Sequence, residues 1–173
     1  FHPAISPDGS QIAFISDRSG QSNLWIMDAD GSNPKQVFKE GMVRAVTPEW
    51  TNDGEYILVR RQSLSGGGSG IWMYHKDGGQ GIEVANGSWP SVSDVDSYLY
   101  YYEAVGPRQG VGLNDALKGY NQLRRKDLKT GEVIEITNGV AGQQIRSSSG
   151  GGYAGEVSPD GRYLAFGRQI LGC

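Results

Sequence analysis

The chain has 173 residues, the length of a single domain. Its 16 basic and 19 acidic side chains give a formal net charge of −3, which argues against nucleic-acid binding, because such proteins need a basic face. Aromatic residues make up 10% of the chain, enough to supply a packed core, so a disordered low-complexity polymer is excluded.

Glycine is the most informative feature of the composition. The 27 glycines in 173 residues are about twice the ordinary usage of ~7%, which favours short strands joined by tight turns. Cys173 is the single cysteine, so it forms no internal disulfide and does not indicate a compartment. No stretch approaches the ~20 apolar residues of a membrane span. The chain opens at Phe1 without a methionine and looks like a piece of a longer protein, so a missing signal peptide is uninformative.

The first predicted unit alternates turns with apolar runs. Residues 3–9 form an opening that ends in Ser-Pro-Asp-Gly, and residues 11–16 and 24–28 are apolar strands. Asp-Gly at residues 30–31 is a strong hairpin signal, because glycine takes positive φ at no steric cost. Residues 35–38 close the unit, which therefore fits four short strands.

The unit is repeated. Further openings stand at residues 48–54, 90–96 and 156–161. The first three lie 45 residues apart (Pro3 to Pro48) and 42 residues apart (Pro48 to Pro90), close to the period of four-stranded propeller blades. The next step, from Pro90 to Gly155, is 65 residues long, and its excess around residues 105–120 predicts a loop insertion between two strands.

These repeats predict an all-β fold, a partial β-propeller of four-stranded antiparallel blades. One blade cannot bury both faces alone, so neighbours must stack, and radial stacking protects most strand edges. We expect a single incomplete propeller over residues 1–173, with about three complete blades and the start of a fourth. The predicted blades are 3–47, 48–89, 90–154 with the insertion 105–120, and the partial 155–173. A right-handed β-solenoid is the rival, but its repeats are usually shorter.

Residues 6–9, 16–20 and 24–32 resemble the repeats of the TolB-like β-propeller family. This resemblance implies a periplasmic or secreted location and does not specify a function. Residues 47–50, 71–75 and 121–128 are similar to Tol-type propellers fused ahead of a metal-dependent amidohydrolase domain. That narrower resemblance implies a downstream catalytic domain, which would bind the divalent metal.

No catalytic, cofactor or metal site is predicted within the chain itself. His2 and His75 are its two histidines, they fall in different repeats, and no His-x-His pair exists, whereas an amidohydrolase needs several ligands. We interpret His75 as a surface-turn residue. The loop around residues 66–68 lacks both the nucleophile elbow of a hydrolase and the Gly-Lys-Ser/Thr ending of a phosphate-binding loop.

Charged residues recur at two kinds of position. Asp8, Asp53 and Asp160 occupy the same place in successive openings, where they satisfy backbone groups of the turn or, as an alternative, ring a cation. The basic clusters at residues 60–61 and 124–126 are interpreted as solvated strand ends.

The insertion is the predicted binding feature, because propeller functions sit in loops held by rigid strands. Its polar side chains are Arg108, Asn114, Asp115 and Lys118. We weigh three roles for it: a lid over a neighbouring active site, a docking loop for a partner, and a tolerated insertion.

Three functions follow. The first is a non-catalytic propeller segment of a larger exported protein, accessory to an amidohydrolase, that shapes substrate access or binds a partner. The second is a stand-alone TolB-like propeller that binds proteins of the cell envelope. The third is the propeller of a prolyl-oligopeptidase-type serine peptidase. In each case the first partner is the remainder of the chain's own propeller, and neither nucleic acid nor a membrane span is expected.

Overall fold

A computed structural model describes residues 3–38, 43–63, 69–93, 97–105, 120–137, 156–158 and 160–165. Every regular element in these ranges is a β-strand, and the strands pair only in antiparallel fashion. The all-β prediction is therefore confirmed.

The strands form three sheets of four and one pair. The first sheet contains β1 (Ala4–Ile5), β2 (Gln11–Ser16), β3 (Asn23–Asp28) and β4 (Lys35–Gln36). The second contains β5 (Val43–Trp50), β6 (Tyr56–Ser63), β7 (Ser69–His75) and β8 (Ile82–Ala85). The third contains β9 (Ser88–Val92), β10 (Tyr98–Val105), β11 (Tyr120–Asp127) and β12 (Val133–Glu135). The last pair is β13 (Glu156–Val157) and β14 (Leu164–Ala165). In each sheet the strands lie side by side in chain order, as in a propeller blade.

The recurring opening turns share one hydrogen-bond pattern. A hydroxyl donates to the Oδ1 of an aspartate two residues later, and the next residue is a glycine with positive φ, at 74°, 66° and 69°. The pairs are Ser6–Asp8, Thr51–Asp53 and Ser158–Asp160, each at 2.6 Å. These aspartates therefore satisfy their own turns, and the cation-ring alternative has no support in this geometry.

The hydrogen bonds of the first opening turn predict that the stability of the fold depends on pH. The Ser6 hydroxyl and the Ser10 N–H and hydroxyl lower the pKa of Asp8 to about 2. A carboxylate with a lowered folded-state pKa stabilises the fold above its unfolded pKa near 4, and this contribution disappears as the pH falls through about 2. The Asp8→Asn variant has no such carboxylate. Between pH 4 and pH 2, the urea midpoint of the parent should therefore fall more than that of Asp8→Asn.

A second variant tests the cause of this pH dependence. Ser6→Ala removes the largest contribution, so the pKa of Asp8 measured by NMR titration should rise. Equal pH slopes for parent and Asp8→Asn, together with an unchanged Asp8 pKa in Ser6→Ala, would contradict the assignment.

The first two sheets enclose one hydrophobic cluster. β2 and β3 contribute alternate residues to it, because side chains along a strand point to opposite faces. Phe38, two residues after β4, stacks on Tyr74 of the second sheet, with ring centroids 4.3 Å apart and planes inclined by 17°. The buried members are Ala13, Ile15, Leu24, Ile26, Val37, Phe38, Ala45, Trp50, Ile57, Val59 and Tyr74.

A separate cluster joins the second and third sheets. Its buried members are Leu58, Ile71, Val84, Ala85, Val92, Leu99 and Tyr101. Strand β6 serves both clusters, since Ile57 and Val59 point to the first sheet and Leu58 to the third, and all three are 0% exposed. The second sheet is therefore buried on both faces.

Successive sheets meet through their first strands. β5 packs against β1, β2 and β3, β9 packs against β5, β6 and β7, and β13 contacts β9. Two hydrogen bonds tie the first and second sheets, from the Trp50 indole N–H to the Ala4 carbonyl (3.0 Å) and from the Ala45 N–H to the Ser22 carbonyl (3.0 Å). This face-to-face stacking of four-stranded sheets is that of a partial β-propeller.

The interpretation of the basic clusters as solvated strand ends is wrong. The basic side chains at residues 60–61 and 124–126 are all half buried. The Arg61 guanidinium lies 3.9 Å from the ring centroid of Trp72, and that of Arg125 lies 4.1 Å from the ring of Tyr98. Lys126 Nζ donates to the carbonyl of Val84 in the neighbouring sheet at 2.6 Å. Long cationic side chains pack their stems on aromatic and apolar surfaces, so these clusters belong to the packing of the sheets.

The Lys126 hydrogen bond predicts a measurable contribution to stability. Lys126→Met keeps the apolar stem and leaves the Val84 carbonyl without its ammonium donor, so unfolding should become easier by about 1–3 kcal/mol. The matched control is Lys35→Met, which removes an exposed ion pair with Asp77 at 3.6 Å and should cost at most about 1 kcal/mol. Equal urea midpoints for the two variants would contradict the role given to Lys126.

Candidate functional site

The four predicted binding residues, Arg108, Asn114, Asp115 and Lys118, lie outside the described residues, as does His2. The described chain reaches Val105 at the end of β10 and resumes at Tyr120 at the start of β11, so the insertion connects these two paired strands. His75 lies in the part that the structure describes and is half exposed beside a turn. Its Nε2 is 3.5 Å from Glu55 and its Nδ1 accepts the N–H of Asp77, an arrangement that fits a surface-turn residue.

A polar network braces the hairpin that carries the insertion. Arg124 Nε lies 2.9 Å from Glu103 across the β10–β11 pair, and its Nη2 donates to Gln122 Oε1 at 3.0 Å. Gln122 Nε2 in turn donates to Glu135 Oε1 on β12 at 2.7 Å. Burial, and the nearby Glu103 carboxylate, raise the pKa of Tyr101 on the same hairpin. The network fixes the two strands from which the insertion leaves the sheet.

A groove of about 390 Å³ lies between the second and third sheets. Its apolar part is formed by Met73, Val92 and Leu128, all of which adjoin the cluster between these sheets. Its polar rim is formed by Thr51, Asn52, Asp53, Ser97 and Lys129, with Tyr56 beside them. The groove therefore combines an apolar floor with polar groups from two different sheets.

The two walls of the groove carry opposite charges. On the second sheet, Asp53 Oδ1 accepts hydrogen bonds from the Thr51 hydroxyl (2.6 Å) and the Glu55 N–H (3.1 Å). The Thr51 bond, with smaller contributions from the Glu55 N–H and the Lys76 charge, lowers the pKa of Asp53, so the carboxylate is ionised at neutral pH. On the third sheet, exposed Lys129 lines the groove and contributes a positively charged side chain.

Sequence reasoning missed this groove. Asp53 was recognised as a turn residue, but Met73 and Leu128 belong to different repeats, and their proximity depends on how two sheets pack. The repeat itself could have indicated the groove. The opening turn of one copy and the last turn of the next lie at the same ends of their sheets, so stacking of the two sheets brings these turns together. Within the described ranges, no group of three or more His, Cys, Asp or Glu side chains is placed to hold a metal ion. Among the described residues, no helical segment that could span a lipid bilayer is found.

The stacked four-stranded meanders define the chain as part of a β-propeller. Its repeats are TolB-like, as its similarity to proteins named as TolB shows. The chain is 32% identical over 171 residues, 97% of its length, to a protein of Bacillus subtilis named uncharacterized peptidase YuxL. It is 27% identical over 161 residues, 91% of its length, to a TolB homolog of Chlorobium chlorochromatii.

The structural comparison gives the same fold. TolB of Acinetobacter baumannii matches 100% of the chain with a TM-score of 0.71 at 18% sequence identity, and the chain covers 38% of that structure. The chain spans 22% and 31% of the lengths of its Bacillus and Chlorobium relatives. No model of a known protein family matches the chain.

Proposed function

We propose that the chain is a non-catalytic propeller segment of a larger exported protein, periplasmic or secreted, that shapes substrate access or binds a partner beside a hydrolase domain. The observation that supports this most is the groove between the second and third sheets, which combines an apolar floor with charged walls and so suits recognition. We propose that the blades occupy approximately residues 3–47, 48–89, 90–154 and 155–173, with β5 and β9 beginning a few residues before the second and third of these blades. The insertion at 105–120, with Arg108, Asn114, Asp115 and Lys118, is proposed to supply polar contacts to the substrate or partner.

Two hydrolase classes are candidates for the neighbouring domain, and both cleave C–N bonds. The resemblance of residues 47–50, 71–75 and 121–128 to amidohydrolase-linked propellers supports a metal-dependent amidohydrolase, whose divalent metal would be bound outside this chain. Similarity over 97% of the chain to a Bacillus protein named as a peptidase supports the peptidase candidate, for which we propose the prolyl-oligopeptidase type of serine peptidase.

A stand-alone binding propeller is the remaining candidate. The Chlorobium relative is named a TolB homolog, and a Francisella tularensis relative that is 29% identical over 127 residues is named a Tol-Pal system protein. These similarities support binding to proteins of the cell envelope.

Three assays on the full-length protein separate these candidates. A fluorophosphonate probe should label a serine peptidase covalently, because the probe reacts with an activated serine nucleophile. Chelation with 1,10-phenanthroline should instead abolish amide hydrolysis by an amidohydrolase, and added zinc should restore it. A protein that neither reacts with the probe nor hydrolyses amides, but recovers a defined envelope protein in a pull-down, would replace the hydrolase proposal with the stand-alone binder.

A further inference from the structure

We infer that the groove between the second and third sheets binds a short peptide with free termini and an apolar side chain. The inference goes beyond the proposed function, because it requires no catalytic domain beside the propeller. It rests on three properties of the groove: its rigid walls, its apolar floor and the placement of its charges.

Both walls are held by backbone hydrogen bonds, so the groove is preformed. On one wall the Thr51 N–H donates to the Tyr56 carbonyl at 2.9 Å, which closes the opening turn of the second sheet. On the other wall the Leu128 N–H donates to the Ser97 carbonyl at 2.8 Å. A preformed site loses little conformational entropy on binding, which favours recognition of a small ligand.

The floor provides a place for an apolar side chain. Met73 and Leu128 are half buried and pack against the cluster between the sheets, and Val92 is 7% exposed. A methionine adapts its shape to different aliphatic groups, because it is unbranched and flexible. The volume of about 390 Å³ lies at the small end of the range of ligand pockets, roughly 300–1,000 Å³.

The charges on the rim match a zwitterion. Asp53 is a carboxylate fixed by its turn, and Lys129 stands on the opposite wall, in a turn whose backbone is held by Asp127: the Asp127 carboxylate accepts the Lys129 N–H at 2.7 Å. An ammonium at one end of a short peptide would meet Asp53, and a carboxylate at the other end would meet Lys129. A singly charged ligand would interact with only one of these two charged groups, so a zwitterion should bind more tightly.

The test uses the full chain and the dipeptide Leu-Leu as the probe, with binding followed by NMR chemical shifts at pH 7. Leu-Leu should bind saturably, with shifts centred on Met73 and Leu128. N-acetyl-Leu-Leu, which lacks the ammonium, and Leu-Leu amide, which lacks the carboxylate, should each bind about two- to five-fold more weakly, the range for partly exposed ion pairs. Gly-Gly, which lacks the apolar side chains, should not bind measurably.

Two variants test which side chain of the groove binds each terminus of the peptide. Asp53→Asn should bind Leu-Leu and N-acetyl-Leu-Leu equally, and Lys129→Met should bind Leu-Leu and Leu-Leu amide equally. Asp8→Asn is the matched control, because it makes the same change in the corresponding turn of the first sheet, and it should bind like the parent. Equal binding of all three Leu-Leu forms by the parent, or no saturation by about 10 mM, would overturn the inference. Neither of these binding results affects the fluorophosphonate labelling of the full-length protein. The peptide-binding inference and the proposed function can therefore fail independently.

Discussion

Replacement of Trp50 by alanine is expected to destabilise the fold by about 3–5 kcal/mol, the usual cost of truncating a buried large aromatic side chain. Trp50 is 6% exposed within the cluster between the first two sheets. Its indole N–H also donates to the Ala4 carbonyl across the interface at 3.0 Å, so the substitution removes both packing and a hydrogen bond. Urea unfolding followed by circular dichroism measures the change.

The same substitution at Trp25 is the matched control. Trp25 pairs with Phe14 on the face of the first sheet that points away from the second, and the Arg18 guanidinium lies 4.9 Å from its ring centroid. It is half exposed and lies outside the cluster between the sheets, so Trp25→Ala should cost less than Trp50→Ala. A Trp25→Ala variant that is as destabilised as Trp50→Ala would contradict the assignment of faces.

Leu58→Ala is expected to destabilise the fold by about 2–5 kcal/mol. Leu58 is 0% exposed and points from β6 toward the third sheet, where removal of its methyl groups would leave a cavity that rigid neighbouring strands fill poorly. Guanidinium unfolding gives the free-energy difference.

Ile82→Ala provides the comparison for Leu58, because Ile82 is on the same sheet and is 57% exposed. The guanidinium midpoint of Ile82→Ala should stay close to that of the parent, because the Ile82 side chain is already mostly exposed to water. If Leu58→Ala lowers the free energy of unfolding as little as Ile82→Ala does, the second and third sheets are not packed as described.

The turns and strands were predictable from sequence because their causes are local. Ser6-Pro7-Asp8-Gly9 contains its own hydrogen-bond partners and a glycine at positive φ, so the same turn forms wherever the pattern recurs. The alternation of apolar residues likewise identified β2 and β3, and the repeat interval indicated that sheets must stack.

The contacts between sheets were not predictable, because they join residues that are far apart in sequence. Lys126 and Val84 are 42 residues apart, and nothing near Lys126 shows that its ammonium reaches a neighbouring carbonyl. The residue pattern also does not indicate which face of the first sheet the second one covers, so the sequence alone leaves open whether Trp25 lies between the sheets. The groove is hidden for the same reason, since Asp53 and Lys129 come together only when two sheets pack.

A crystal structure of the chain tests the central claim most directly. The account predicts separate sheets β1–β4, β5–β8 and β9–β12, each an antiparallel meander, stacked face to face with the Trp50 indole hydrogen-bonded to the Ala4 carbonyl. Backbone hydrogen bonds that run from β4 into β5 as one continuous barrel, or helices within the repeats, would contradict it.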